Sequence, residues 1–361
     1  GQTFSRQDEV LWARHTTSRN KNAQGETMKI VYKITPMLAG LALAGAAIAQ
    51  PADSIDAHIA TARTAAGADY RNTLLNLCPL FAPAQPGAGR GAPGRGAGGA
   101  PATPDRAGWY APPFKIFDNL YWLGSRQFSS WALTTSAGII IIDTNFAYTT
   151  QAEIVDGLTK LGLNPRDIKY VILSHAHGDH DQGAADLQKL SGAQVVMGAA
   201  DWDMTLARKE YPGGIPTKGI SVGAQGHKLT LGDTTVDIYA TPGHTDGTLS
   251  YIFPVKDGGR PVMAAYSGGT LTGAFGTNGA RWDEYVASQK KIAAAAAAAN
   301  AQVILSNHSE YDGAYTKARL IAAPRQAGET HPFIVGQASV QRYFTVMQEC
   351  AIAAKLRNGA K

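Results

Sequence analysis

The chain has 361 residues, of which 44% are hydrophobic and 17% are charged, a composition typical of a soluble globular protein with a sizeable core. Its formal net charge is +5, but residues 1–49 hold six Lys/Arg and three Asp/Glu, so the rest of the chain carries only +2. This near balance, without a long basic run, argues against nucleic acid as a partner.

Residues 28–49 are predicted to be a signal peptide. They have a basic start, a short apolar centre, and the small-x-small sequence Ala47-Ile48-Ala49 before Gln50. The apolar centre is short for a membrane span; the alternative is a buried core helix. Residues 1–27 are polar, and we interpret them as a non-native or upstream leader. We therefore expect a mature protein that starts at Gln50, lies in a bacterial periplasm, and does not contact the membrane.

The next two segments differ sharply in composition. Residues 50–82 predict an N-terminal helical segment, whereas residues 83–108 are almost entirely Gly, Pro, Ala and Arg, as in a flexible linker. Cys78 and Cys350 lie near the two ends of the mature chain. In an oxidising compartment they could form one disulfide; the alternative is two separate buried thiols.

Residues 109–361 predict a catalytic domain that ends in a helix. Its strands are predicted at 114–123, 129–135, 138–143, 168–173, 194–197, 228–231, 234–240, 248–253, 261–266 and 302–306. Its helices are predicted at 149–161, 186–190, 283–300, 314–322 and 338–354. One more helix is predicted after residue 200, followed by the loop 211–216, which could form one wall of a pocket. Strands and helices thus recur in two halves, which indicates an α/β fold.

A cluster of metal-binding side chains follows the predicted strand 168–173. The sequence there is His175-Ala176-His177-Gly178-Asp179-His180, so one loop carries three imidazoles and a carboxylate. Imidazole nitrogen and carboxylate oxygen are ligands that zinc accepts. Alternate side chains could face two metal ions. The other interpretation is a histidine-rich surface loop, but solvated loops seldom place four potential metal ligands within six residues.

The His-x-His-x-Asp-His motif after a strand resembles the signature of the metallo-β-lactamase superfamily. The resemblance covers about residues 110–325 and implies a four-layer αββα sandwich with two zinc ions. Two further loops, with His244 and His308, also follow predicted strands. By resemblance, one zinc is held by His175, His177 and His244, and the other by Asp179, His180 and His308. Asp143, at the end of a strand, is implied to orient a ligand; the alternative is a simple strand-end cap.

Two zinc ions would activate a water at neutral pH and polarise the bond to be cleaved, so no protein nucleophile is required. We expect Asp179, His177 and His244 to take direct part in catalysis. The chemistry fits the hydrolysis of a strained amide, an ester, a thioester or a phosphoester. The partner is then a small-molecule substrate, and we expect the enzyme to act as a monomer.

The segment Ser267-Gly268-Gly269-Thr270-Leu271-Thr272 narrows the choice of substrate. Many superfamily hydrolases carry a metal-bridging aspartate here, and this chain has no carboxylate. In this it resembles the third subclass of metallo-β-lactamases, whose ligands are all His and Asp, and which binds the substrate carboxylate with two serines. Thr270 and Thr272 stand at those positions. The resemblance implies a β-lactamase that confers antibiotic resistance; the alternatives are a lactonase, an esterase or thioester hydrolase, and a non-catalytic zinc-binding protein.

Overall fold

The computed structural model describes residues 53–78, 103–270, 275–326 and 328–361. The predicted leader, the predicted signal peptide, residues 83–102 of the predicted linker and Thr272 lie outside these ranges. Within the described ranges, none of the helices is both long and apolar enough to cross a membrane.

Two β-sheets form the centre of the fold. The strands are β1 (Phe114–Lys115), β2 (Leu120–Trp122), β3 (Trp131–Thr135), β4 (Gly138–Ile142), β5 (Ile168–Ile172), β6 (Gln194–Gly198), β7 (Ile220–Val222), β8 (His227–Leu231), β9 (Thr234–Ala240), β10 (Leu249–Asp257), β11 (Arg260–Ser267) and β12 (Val303–Ser306). The first sheet runs in the order β1 to β7, and the second in the order β12-β11-β10-β9-β8.

The helices are α1 (Ile55–Ala66), α2 (Arg71–Leu77), α3 (Arg106–Trp109), α4 (Ala147–Thr150), α5 (Asp156–Lys160), α6 (Gly178–Asp181), α7 (Ala184–Ser191), α8 (Ala199–Leu206), α9 (Gly279–Ala298), α10 (Ser309–Asp312), α11 (Ala314–Ile321) and α12 (Gln337–Arg357). A π-helical turn, Gln151–Val155, joins α4 to α5, and a 3-10 turn, Pro165–Asp167, precedes β5. Helix α3 lies in what the sequence predicted as linker.

Strand β4 shows why the sheets are layered between helices. Its side chains alternate between the two faces, as in any strand. Ile140 and Ile142 pack in the apolar layer between the sheets, whereas Ile139 and Ile141 pack beneath the helices on the outer face. A third apolar layer lies between the second sheet and α1, α2, α9 and α12. The predicted αββα sandwich is confirmed.

The strand directions bring several carboxyl ends to one edge. Strands β4, β5, β6 and β7 run parallel in the first sheet. In the second sheet β11 is parallel to β12, and β9 has the same direction because β10 is antiparallel to both β9 and β11. Loops that follow β4, β5, β9, β11 and β12 therefore meet at this edge, as they do in α/β proteins that bind ligands there.

Candidate metal centre

Three loops at the shared edge carry the predicted ligands. His175 comes three residues after β5, His244 four residues after β9, and His308 two residues after β12. The chain at His177 is extended and then enters the short helix α6, which carries Asp179 and His180. The strand ends thus determine where the loops lie. Helix α6 directs Asp179 and His180 away from His175 and His177.

His175, His177 and His244 form one group. Their ligand nitrogens all lie within 4.8 Å of one another. The Nε2 atom of His244 is 3.1 Å from Nδ1 of His177, and the ring centroids of His175 and His244 are 4.4 Å apart. These distances suit three ligands around one small cation.

Asp179, His180 and His308 form a second group. Oδ2 of Asp179 lies 3.2 Å from Nε2 of His180 and 3.4 Å from Nε2 of His308, and the two imidazole nitrogens are 3.2 Å apart. His175 also has a ligand nitrogen within 4.8 Å of Asp179 and His180. It therefore lies between the two groups, so the structure brings all six predicted ligands into one continuous cluster.

The hydrogen bonds of His175 show that this cluster fits a metal. Its Nδ1–H donates a hydrogen bond to the carbonyl oxygen of Gly268 at 2.9 Å, which leaves the lone pair on Nε2. That Nε2 is buried and has no hydrogen-bond partner among the described residues. A buried nitrogen lone pair without a donor is costly unless a cation fills the space. Imidazole and carboxylate donors match zinc.

The electrostatics of the cluster keep most of its ligands in the form that a metal requires. Burial, and then the neighbouring His244, lowers the pKa of His175 well below its usual range. Burial and His177 lower the pKa of His244 to about 3, so both imidazoles are neutral at pH 7. Burial opposes ionisation of Asp179, but the nearby His180 and His308 together outweigh it and hold the carboxyl pKa well below normal. His180 is different: the carboxylates of Asp179 and Asp143 outweigh the effect of burial and raise its pKa to about 10, so it must lose a proton before it binds a metal.

Asp143 lies beneath the ligand loop, directly after β4. Its carboxylate accepts hydrogen bonds from the backbone N–H of Ser174 at 2.6 Å, from the Ser174 hydroxyl at 2.8 Å, and from the Tyr266 hydroxyl at 2.7 Å. It also lies 3.4 Å from Nδ1 of His180. Asp143 therefore contacts the predicted ligand His180 and also Ser174, the residue directly before the predicted ligand His175.

Residues 124–258 match the sequence profile of the Metallo-beta-lactamase superfamily. The chain contains a metallo-β-lactamase superfamily domain. Its fold is similar to that of BJP-1, a subclass B3 metallo-β-lactamase of Bradyrhizobium japonicum, with a TM-score of 0.54 and 29% identity over 67% of this chain and 93% of that one. The ligand cluster agrees with a metallo-hydrolase of this superfamily.

Curated relatives of the superfamily domain carry other names. A hydroxyacylglutathione hydrolase of Rhodopseudomonas palustris is 27% identical over 57% of this chain and 78% of its own length. An N-acyl homoserine lactonase of Bacillus cereus is 28% identical over 32% of this chain and 44% of its own length. Two further hydroxyacylglutathione hydrolases, from Acidiphilium cryptum and Neisseria meningitidis, are matched over only 31% and 38% of their length.

The end of β11 leaves no room for a carboxylate beside the metal ligands. A Cβ atom on Gly269 would lie 2.8 Å from the Cβ of His244, and one on Gly268 would lie 1.5 Å from the backbone oxygen of Leu249. This chain therefore needs glycines at both positions for steric reasons. Thr270, predicted to bind substrate, is only 2% exposed, and its predicted partner Thr272 lies outside the described residues.

Asp201 is a residue of the superfamily domain that the sequence analysis missed. It lies on α8, yet its carboxylate accepts from the backbone N–H of Ala176 at 2.8 Å, from the Thr245 hydroxyl at 2.8 Å and from the Gly247 N–H at 3.0 Å. It therefore joins the two loops that carry His175, His177 and His244. Nothing in the sequence near residue 201 marks it, although a carboxylate buried to 1% exposure needs such partners.

A second missed group supports the same ligand loop from outside. Arg208 donates to Oδ2 of Asp181 at 2.8 Å and to the carbonyl oxygen of Ala176 at 2.6 Å. Its guanidinium lies over the Tyr211 ring, and the Tyr211 hydroxyl also donates to Asp181. The predicted pocket-wall loop 211–216 is thus tied to the metal loop at its first residue.

Proposed function

We propose that the chain is a hydrolase that binds two zinc ions and opens the β-lactam ring. The observation that carries this proposal is the convergence of six His and Asp side chains in two adjacent groups, with glycines instead of a carboxylate at the end of β11. Subclass B3 metallo-β-lactamases are among its structural neighbours, which supports the same substrate class.

The residues around the cluster have different roles in the proposed reaction. Bound zinc would supply Lewis acidity and an activated water near neutral pH. His177 is exposed and Asp179 is partly exposed, so these two border the space that a substrate enters, while His244 is buried beside them. The carbonyl of Gly268 and the carboxylate of Asp201 hold the ligand loops in place, so that the cluster is preorganised.

A second function, the hydrolysis of lactones or thioesters at the same site, is favoured by the curated relatives. These are hydroxyacylglutathione hydrolases and an N-acyl homoserine lactonase. Against it stands the segment at Gly269, where many superfamily hydrolases have a metal-bridging aspartate. A non-catalytic zinc-binding protein is the third candidate, and it predicts metal binding without turnover of any ester or lactam.

The experiment measures hydrolysis of a carbapenem, a cephalosporin, an acyl homoserine lactone and a glutathione thioester by the zinc-loaded protein. Each assay is repeated with a chelator and with His177→Ala. The matched control is His227→Ala, which changes an exposed histidine on β8 away from the cluster. Zinc per chain is measured in parallel, and His308→Ala should lose one of two zinc ions.

We expect lactam hydrolysis that the chelator and His177→Ala abolish and that His227→Ala leaves intact. Lactone or thioester hydrolysis without lactam hydrolysis would overturn the β-lactamase proposal and leave the metal site standing. Two bound zinc ions with no turnover of the four substrates would favour the binding protein. One zinc ion per chain at saturation would contradict the dizinc site.

We also propose export to the periplasm through residues 28–49, and a monomeric mature protein. The support is the basic, apolar and small-residue pattern of that segment, and the Cys78–Cys350 pair, which suits an oxidising compartment. Amino-terminal sequencing of the protein from the periplasmic fraction should find Gln50 first, and its elution should match one chain. A cytoplasmic protein that retains Met28 would contradict export, and elution as a dimer would contradict the monomer.

A further inference from the structure

Helix α9 lies directly against the loop that carries His244. Gly243, the residue before this ligand, has a φ of +137°, and a Cβ atom there would lie 2.7 Å from the Cα atom of Tyr285 on α9. Only a glycine allows the backbone to come so close to the helix. The loop and the helix are therefore in direct backbone contact, and a shift of one displaces the other.

Three side chains of α9 donate hydrogen bonds to carbonyl oxygens between the end of β9 and His244. The pairs are Arg281 with Gly243 at 2.6 Å, Ser288 with Pro242 at 2.6 Å, and Lys291 with Ala240 at 2.8 Å. The donors lie seven and then three residues apart, so they share one face of the helix. Other residues of α9 pack in the apolar layer with α12, which fixes the helix itself. The helix thus holds the backbone that leads to the ligand at three points.

Arg281 makes the contacts nearest to the ligand. Besides Gly243, its guanidinium donates to the carbonyl oxygen of His244 itself at 3.4 Å and to the carboxylate of Asp246. The aspartate holds the guanidinium in place and also offsets its positive charge, which would otherwise oppose a metal cation nearby. The backbone N–H of Arg281 donates to the side chain of Asn278, so the residue is fixed in the first turn of α9.

The ring of His244 depends on this support more than the ring of His175 does. The Nδ1–H of His175 donates to the carbonyl oxygen of Gly268, and this bond orients the ring. Nε2 of His244 faces His177, but its buried Nδ1 has no hydrogen-bond partner among the described residues. Without such a bond from the described residues, the position of the ring depends on the backbone that carries it.

We propose that Arg281 is a positioning residue for the metal at the first ligand group, which includes His244. It binds the carbonyl oxygens of Gly243 and His244, and so it fixes the ring of His244 where the metal requires it. This rests on the proposed dizinc function and deepens it, because a residue outside the ligand motifs sets the affinity for one of the two ions. Loss of such a supporting contact weakens metal binding about 10- to 100-fold.

The test measures zinc affinity at each group separately, by competition with a chromophoric chelator and without turnover. His308→Ala removes a ligand of the second group and His177→Ala a ligand of the first, so each background keeps one complete group. In the His308→Ala background, Arg281→Ala should weaken zinc binding about tenfold or more. In the His177→Ala background it should have no effect. Lys290→Ala, which changes an exposed residue of the same helix, is the matched control and should alter neither affinity.

The comparison of the two backgrounds decides the outcome. A loss confined to the His308→Ala background supports the proposal, since a general effect on the fold would weaken both sites. Equal losses in both backgrounds, or no loss in that one, would overturn it. If Arg281→Ala does not fold, Asp246→Ala replaces it, because the side chain of Asp246 is 68% exposed and its removal frees the guanidinium. The loss in the His308→Ala background should then be about twofold to fivefold, and its absence overturns the proposal.

Hydrolysis is measured separately, which keeps this proposal distinct from the proposed function. Arg281→Ala should be less active than the unmodified protein at limiting zinc and should regain that activity when zinc is in excess. A loss that excess zinc does not restore would contradict the positioning role. If no form of the protein hydrolyses any substrate, the proposed function fails, whereas the zinc affinities still test the role of Arg281.

Discussion

The carboxylate of Asp201 acts on the metal centre without touching a metal. Its three hydrogen bonds end on the segment between His175 and His177 and on the turn after His244. Since the ligands must converge to within a few tenths of an ångström, a group that joins their loops contributes to metal affinity although it binds no metal itself.

Asp201→Ala should weaken zinc binding about 10- to 100-fold, because it leaves two backbone N–H groups and a hydroxyl without their acceptor. Competition with a chromophoric chelator measures this. Asp203→Ala is the matched control, since Asp203 lies on the same helix and is exposed. Equal zinc affinity in the two variants would contradict the role of Asp201.

Glu153 is a buried acid in the π-helical turn, 2% exposed, and it accepts a hydrogen bond from Asn145 at 2.9 Å. Burial raises its pKa to about 8, although hydrogen bonds from Asn145 and Thr149 oppose the shift. The folded state therefore holds this proton more tightly than the unfolded state, and stability falls as the pH rises from about 4.5 to 8.

Glu153→Gln keeps the shape of the side chain and removes the titration. Its loss of unfolding free energy between pH 5 and pH 9 should be smaller than that of the unmodified protein, by up to about 4 kcal/mol. Denaturant unfolding at the two pH values measures the difference. The same pH dependence in both proteins would show that Glu153 is ionised in the fold.

At the scale of elements, the sequence predicted the structure best where apolar residues alternate along a strand and a ligand loop follows its end. The alternation in β4 and the His loops after β5, β9 and β12 could be predicted, because period and position alone determine which way those side chains face. The predicted helix 149–161 proved to be a run of α4, a π-helical turn and α5. The sequence did not predict strand β7, because three residues are too few to show an alternation of apolar and polar side chains.

The same limit applies to the candidate site. The six ligands stand in recognisable motifs, but Asp201, Arg208 and the aromatic rings of Phe128 and Phe146 reach the site from other parts of the chain. Phe128 and Phe146, for example, come from loops 18 residues apart, and only the pairing of Phe128 with His308 places them beside the ligands. Such contacts depend on how the two sheets pack, and no local pattern encodes that.

The end of β11 is packed more tightly than an ordinary strand end. Gly268→Ala should lower the free energy of unfolding by about 4 kcal/mol or more, because the new Cβ would lie 1.5 Å from the backbone oxygen of Leu249. Thermal unfolding measures this. Gly108→Ala is the control, since a Cβ there meets nothing within 4 Å. A melting temperature for Gly268→Ala close to that of the control would contradict this close packing.

At the scale of the whole molecule, the two ends of the described chain pack together. Helices α1 and α2 lie on α12 in one apolar layer with α9. His58 on α1 contacts Glu349 on α12, Arg342 on α12 pairs with Asp69, and the sulfur atoms of Cys78 and Cys350 are at bonding distance. The N-terminal segment is therefore part of the same compact unit as the superfamily domain.

Reduction of this disulfide should destabilise the protein by about 3 to 5 kcal/mol, because the bond closes a long loop, with a sequence separation of 272, in the unfolded chain. Denaturant unfolding with and without a reductant measures the loss, and the double variant Cys78→Ser/Cys350→Ser, insensitive to reductant, is the control. Zinc content should not change, since neither cysteine belongs to the metal cluster. An unchanged midpoint on reduction would contradict the stabilising role.

The covalent link between Cys78 and Cys350 closes about three quarters of the 361-residue chain into a ring. A single protease cut within that ring opens it without separating the pieces. Trypsin cleavage after Arg90 or Arg95 would thus yield two fragments that migrate as one species until a reductant is added. Helices α1 and α2 would stay attached to α12, so the nicked protein would keep its N-terminal layer and its metal centre.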